Sequence, residues 1–510
     1  MRKRLWFNPM NPMSGMRNRF DAVSGSIVAP RGFRAAGVFC DIKRLGTGKG
    51  SEKGQKRDLA LIVSDAPATA AGMFTTNQVC AAPVKACLPR VKKGRAQAIV
   101  INSGNANACT GRQGMRDALE MVRFTEQALN LRAGSALVGS TGRIGVAMPM
   151  DNVRAGIIEA AVELGSTAAH AARAAEAIMT SDTRSKQIAY EFELGGGRVR
   201  IGGICKGAGM IQPGMSATGR RPAACPLHAT MLCFITTDAA IAAMPLQAAL
   251  QVAVAASFNR ITVDGDMSTN DTVIVLANGQ AELNTEHQTA NTKHQTPNTK
   301  QQTANAKYQT PNSKLAKYQT PNSKYQTQNI EVQGLTAAIT SQRSEGFRTF
   351  QSALSLVCLE LAKMIVRDGE GASRFVTVRV NGAKTFAEAD AAARAVANSA
   401  LVKTSWHGGD PNWGRIIDAL GYSSASIVEE KVNIGYSRPG GKRVLWSLRR
   451  GQPTKTSFQE LCAAVASKEF DLHINLNLGR AGALLYAADL TEEYVEFNKG
   501  DVSNPNSLGG

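Results

Sequence analysis

Short uninterrupted apolar runs alternate along this chain with longer stretches in which apolar residues recur every three or four positions. The first pattern marks buried strands and the second marks helices packed on one face. Gln97–Ile101 (QAIVI) and Val273–Ala277 (VIVLA) predict buried strands. Phe375–Val380 and Leu472–Leu478 alternate apolar with polar positions and predict half-buried strands. Three segments predict helices: Met115–Leu131, with Leu119, Val122, Phe124 and Leu129 near helical spacing, then Phe347–Val366, which stops at the Gly-rich RDGEGA, and the Ala-rich Phe386–Ala397. Together they define a mixed α/β protein, with strand order left open because periodicity says nothing about neighbours.

Two segments follow neither pattern. From His287 the chain reads HQTANTK, HQTPNTK, QQTANAK, YQTPNSK, LAK, YQTPNSK, YQTQN. No pair of positions in this seven-residue unit is apolar, so it is not a coiled-coil heptad. It cannot bury enough surface to offset its ordering entropy. Residues 280–334 are therefore read as a disordered loop inserted into a folded domain, tolerated because loop-closure cost grows slowly with length. Lys43–Arg57 reads as a second polar loop. Its GTGKGS lacks the spaced first glycine, and the Ser or Thr after Lys, that a phosphate loop needs.

The 510 residues, 43% of them apolar, leave room for two or three domains and a large core. No run approaches the ~18 consecutive apolar residues of a membrane span, so no membrane association is expected. Nine scattered cysteines without a CxxC pair read as reduced thiols, and six histidines without ligand spacing predict no metal. The net charge of +19 raises nucleic acid as a partner. Its basic residues, however, collect in the N-terminal tail, Lys43–Arg57, Leu88–Arg95, the repeat and Arg438–Lys442. These read as loops and extensions rather than a stripe with interleaved aromatics, so no nucleic-acid partner is expected. Residues 1–25 read as a disordered tail of a cytoplasmic protein. Their Arg-rich, acid-free opening makes a transit peptide to the mitochondrial matrix the alternative.

Small polar residues and glycine gather beside apolar strands at four places: Asn102–Gly111, Gly139–Gly145 (GSTGRIG), Lys206–Met215 (KGAGMIQPGM) and Ser257–Thr272 (SFNRITVDGDMSTNDT). Any one could be an ordinary turn. Four, with no nucleotide fingerprint, suggest a site for a small polar molecule. In His228–Asp238, Thr230 opens an apolar strand after a polar loop. A β-branched strand opener is common. A threonine freed at a new N-terminus would instead carry both a hydroxyl nucleophile and an α-amine to serve as its base.

KGAGMIQPGM, ATMLCFITTDA, SFNRITVDGDMSTNDTV, RDGEGA, LVKTSWHGGDPNWGRI and DLTEEYVEFN occur in that order, and the opening VAPRGFRAAGVFCDIK fits them. Together they resemble the ornithine acetyltransferase (glutamate N-acetyltransferase) family of arginine biosynthesis, over about residues 28–503. The resemblance implies an α/β, self-processing fold with a larger N-terminal and a smaller C-terminal part. The chain would cut itself between Ala229 and Thr230. That gives fragments 26–229 and 230–510, the second holding the insert and an α/β domain from about 335 to 503. Two copies of each would form a heterotetramer. Thr230 would take acetyl from N-acetylornithine and pass it to glutamate, with no cofactor. Acetyl-CoA as a further donor is left open. By the same resemblance Thr141 and Gly142 stabilise the oxyanion, while Thr180, Lys206, Glu370, Asn498 and Ser503 contact substrate. Lys206 suits a substrate carboxylate, and Glu370 suits an α-amine.

Three features depart from the family pattern. Ser216–His228 intervene before the cut and include a competing Ala217–Thr218 pair. Met267 and Gly214 replace Thr and Asn. Asp501 stands where Tyr is usual. Thr230 is preferred to Thr218 because MLCFITTDA anchors it to a strand. Two competing readings remain: a hydrolase of related fold using water as acceptor, and an unprocessed scaffold.

Overall fold

The structure, a computed structural model, describes residues 19–43, 56–220, 231–283 and 338–499. Its strands are β1 Asp21–Ala22, β2 Phe33–Val38, β3 Leu59–Thr75, β4 Arg95–Asn105, β5 Ala136–Arg143, β6 Lys186–Leu194, β7 Gly197–Lys206, β8 Met215–Ser216, β9 Leu232–Thr237, β10 Ile261–Thr262, β11 Thr272–Ala277 and β12 Glu282–Leu283. The C-terminal part adds β13 Phe375–Ala383, β14 Asn433–Ser437, β15 Leu445–Arg449, β16 Gln452–Pro453, β17 Glu469–Asn475 and β18 Ala481–Ala488.

The first sheet runs β1-β6-β7-β9-β11-β3-β4-β5, with β12 on β7 and β2 and β8 on β3. The pairs β9/β11 and β4/β5 are parallel and the others antiparallel. Alternate residues explain why β9 and β11 sit at its centre. Leu232, Phe234, Ile274 and Leu276 pack on one face, with the helices Ala82–Val91, Gly111–Ala128, Met150–Val162 and Ala168–Ala177. Cys233, Ile235, Val273 and Val275 pack on the other, with Ala243–Ala256 and Glu345–Arg367. A strand covered on both faces must be apolar throughout, and VIVLA is.

The second sheet, β10-β18-β13-β17-β14-β15-β16, rests on the helices Phe386–Asn398, Ala400–His407 and Trp413–Gly421. Its β10 comes from the N-terminal side of the insert and pairs in parallel with β18. The helix Glu345–Arg367 starts where the Ser344 side chain accepts from the Phe347 amide. It is long and apolar enough to cross a membrane, yet its buried residues join the core shared by both sheets.

Several expectations change. β13 is not half-buried. Phe375 faces the helix Glu345–Arg367, while Val376, Val378 and Val380 face the helix Phe386–Asn398. β17 ends at Asn475; the Leu476 amide still reaches Asn381 O of β13, and Asn477 then turns the chain with φ +50°. Leu88–Val91 of the basic stretch belongs to a helix, and Lys43 is buried with its ammonium on Arg57 O. Of the insert, Gln280–Leu283 are described and β12 pairs with β7; 284–337 lie outside the described residues. So do 1–18 of the tail and 44–55 of the polar loop.

Candidate active site

Ala229, Thr230 and Ser503 lie outside the described residues, so the site is built from their neighbours. Met231, bonded to Thr230, is fully buried at the head of β9. Its amide donates to Asp271 Oδ1 at 2.5 Å, and its carbonyl accepts from the Thr272 amide at 3.0 Å. Burial pushes the Asp271 carboxyl well above the usual carboxylate range, against the pull of the Met231 amide and of Lys206. Asp271 Oδ2 has no hydrogen-bond partner among the described residues.

The residue before it reaches the loop that carries Thr141 and Gly142. Asn270 Nδ2 donates to Ser140 O at 2.8 Å and to Ala106 O at 2.7 Å. Thr141 follows Ser140 at the end of β5 and is buried. Gly142 comes next, with φ +127°, and a Cβ there would lie 2.6 Å from the Asn105 amide nitrogen and 2.7 Å from Gly104 Cα. Only glycine fits that close approach to β4. Asn105 holds the far side of the loop, donating to Val146 O and Ala147 O. Adjacent Asn270 and Asp271 thus tie the loop that carries Thr141 and Gly142 to the head of β9.

Lys206 ends β7 and pairs across the sheet with Leu232, two positions from Thr230. Its side chain is buried, and it forms no hydrogen bond or ion pair with the described residues. Burial lowers its pKa from the ordinary lysine value, while Asp182, Glu370 and Asp271 act in the opposite sense. Asp182 accepts from the Gly207 amide at 2.7 Å, the Thr180 amide at 3.0 Å and Lys186 Nζ at 2.6 Å. Burial works to raise the Asp182 carboxyl, but Lys206 and Lys186 outweigh it and hold the group well below the carboxylate range.

Glu370 meets the same loop from the other side. Its amide donates to Ala208 O at 3.0 Å, and its carboxyl packs so closely on Gly209 that a Cβ there would overlap it. Asp264 accepts from the Met210 and Ile211 amides, which fixes the rest of KGAGMI. Asn498, just past the helix Glu492–Phe497, donates to Glu370 Oε2 at 3.0 Å. Thr180, Lys206, Glu370 and Asn498 are therefore joined by contacts through one loop beside β9.

Sequence reasoning had not singled out Asp182, Lys186, Asn270 or Asp271 as site residues. The only signal for Asp182, Asn270 and Asp271 was membership of the MTSDT and VDGDMSTND runs, since a lone Asp or Asn in a polar run normally caps a turn, and Lys186 lies outside both. The competing Thr218 is exposed in a turn after β8, where its Oγ1 accepts from the Arg220 amide. Met267 is half-buried and Gly214 O accepts from Thr76 Oγ1; nothing in the structure explains the replacement at either. No cluster of His, Cys, Asp and Glu able to hold a metal occurs among the described residues.

The ArgJ family model matches residues 34–500. The chain belongs to the ArgJ family. Among relatives, the arginine biosynthesis bifunctional protein ArgJ of Symbiobacterium thermophilum is 42% identical over 93% of this chain and 98% of its own length. Glutamate N-acetyltransferase of Methanocaldococcus jannaschii is 39% identical over 93% and 98%. A crystal structure of ornithine acetyltransferase from Mycobacterium tuberculosis complexed with ornithine is 36% identical. It covers 39% of this chain and 100% of that chain, with a TM-score of 0.35. The family resemblance read from the ordered motifs is borne out. The ArgJ match also spans Ser216–His228 and the repeat, so neither removes the chain from the family.

Proposed function

We propose that this ArgJ-family enzyme transfers acetyl from N-acetylornithine to glutamate in arginine biosynthesis, through an acetyl ester on Thr230. The observation that carries the reading is the pairing of Lys206 with Leu232. A buried ammonium without a hydrogen bond or ion pair to the described residues thus lies, with the Glu370–Asn498 pair, beside β9, which begins two positions after Thr230.

Maturation begins with attack of the Thr230 hydroxyl on the Ala229 carbonyl. Water then cleaves the resulting ester, leaving a carboxylate on Ala229 and an α-amine on Thr230. That amine takes the hydroxyl proton as Thr230 attacks the acetyl carbonyl of N-acetylornithine. The Thr141 hydroxyl and Gly142 amide stabilise the tetrahedral oxyanion, and ornithine leaves with the proton. Glutamate then attacks the ester, and N-acetylglutamate departs. Lys206 holds a substrate carboxylate, and Glu370, steadied by Asn498, holds the free side-chain ammonium of N-acetylornithine, whose α-nitrogen carries the acetyl group. Thr180 and Ser503 complete the contacts. The two fragments stay together, and two copies of each make the assembly.

Release of ornithine from N-acetylornithine is followed with and without glutamate. Dependence on glutamate, with stoichiometric N-acetylglutamate, is expected. Equal rates without it would make water the acceptor and the protein a hydrolase. The same assay with glutamate and acetyl-CoA alone decides whether acetyl-CoA is a second donor.

A further inference from the structure

Two buried lysines act on one carboxylate, Asp182. Lys186 of β6 pairs in register with Cys205, the residue before Lys206, and both ammonium-bearing side chains are buried. Their surroundings are unequal. Lys186, 1% exposed, bridges Asp182 and Asp368, themselves 0% and 3% exposed. Asp182 already accepts three of the roughly four hydrogen bonds a carboxylate can take, and Lys186 balances its charge. Oδ1 takes Lys186 Nζ and the Gly207 amide, and Oδ2 takes the Thr180 amide. Asp368 also accepts from the Thr183 amide and hydroxyl and sits two residues before Glu370. Asp182 is the strongest electrostatic attraction on Lys206, yet no ion pair joins them.

We propose that Lys186 is a positioning residue that occupies Asp182, and so keeps the Lys206 ammonium available for a substrate carboxylate. Without Lys186, the nearest uncompensated carboxylate for Lys206 is Asp182. Pairing there would quench the substrate site from within. The same network holds Thr180 and the approach to Glu370, so one buried cluster sets three of the contacts assigned above. The inference rests on the substrate role given to Lys206.

The test compares wild type, Lys186→Met and the double variant Asp182→Asn/Lys186→Met as full-length proteins. KM and kcat are measured for N-acetylornithine and glutamate, and N-acetylglutamate binding is measured by calorimetry. Lys186→Met is expected to raise both KM values and weaken N-acetylglutamate binding about tenfold, with kcat within about threefold. The double variant removes the competing carboxylate and should lower KM and tighten binding relative to Lys186→Met, short of wild type because Asp368 then keeps Arg184 at 3.5 Å in place of Lys186. Lys186→Gln, which keeps the side-chain bulk but removes the charge that balances Asp182, is the second single variant should the methionine variant fail to accumulate. Unchanged KM and binding in the single variants overturn the proposal, and so does a double variant as impaired as the single. A wild type that binds N-acetylglutamate but does not transfer acetyl overturns the proposed reaction instead, while the binding comparison still decides the role of Lys186.

Discussion

Substituting Gly142 with alanine tests the oxyanion loop. At φ +127° the added Cβ faces backbone atoms of β4, 2.6 Å from the Asn105 nitrogen and 2.7 Å from Gly104 Cα. Heavy-atom contacts relax to ~3.5 Å, so the loop must retreat by about 1 Å. Neither side can yield by rotating a side chain, because both are backbone. Overpacking of this kind costs about 1–3 kcal/mol of stability. Catalysis should suffer more. An oxyanion donor acts at about 2.7–3.1 Å, and a 1 Å retreat is equivalent to losing it, about 100–1000-fold in kcat. The assay is release of ornithine per mole of processed Thr230 N-terminus, with processing counted by intact mass. KM should change little, since the oxyanion forms only in the transition state. A normalised kcat within about threefold of wild type would refute the assignment of Thr141 and Gly142.

Three further predictions follow from the site. N-acetylglutamate, which has no amine of its own to titrate, should bind best while Lys206 is protonated. Its Kd should rise as pH climbs through the lowered Lys206 pKa, below the ordinary lysine value of 10.5; calorimetry showing constant affinity up to that pH would contradict the carboxylate role. Asn498→Ala removes the 3.0 Å bond to Glu370 and should raise KM for N-acetylornithine about tenfold with stability unchanged, because Asn498 is exposed; steady-state kinetics and a thermal melt check both. Replacing 284–337 with a short linker should leave kcat/KM within about threefold. Leu283 sits on β7, and Ile339 bridges Ile241 just beyond the neighbouring β9; a tenfold loss would assign the repeat a role in turnover.

Much of the fold was legible because local pattern reports burial. VIVLA is apolar throughout since helices cover β11 on both sides, and the helix Phe347–Val366 appeared within two residues of its observed limits. β13 was misjudged as half-buried because its alternation records side-chain polarity, not what the helix Glu345–Arg367 brings to its second face. Strand order was not legible. That Lys206 lies opposite Leu232, or that β10 crosses to the second sheet, depends on long-range pairing that no local period encodes. The family resemblance marked the residues that touch substrate. It did not mark Asp182, Lys186, Asn270 and Asp271, whose types are ordinary in turns and whose significance comes from being buried.

The nature of the nucleophile decides the whole account. Intact-mass spectrometry of freshly purified protein, with Thr230→Ala beside it, should show two fragments meeting between Ala229 and Thr230 in the native chain and one unbroken chain in the variant. A native chain that stays whole while still transferring acetyl, or a break at Ala217–Thr218, would contradict Thr230 as the self-made nucleophile.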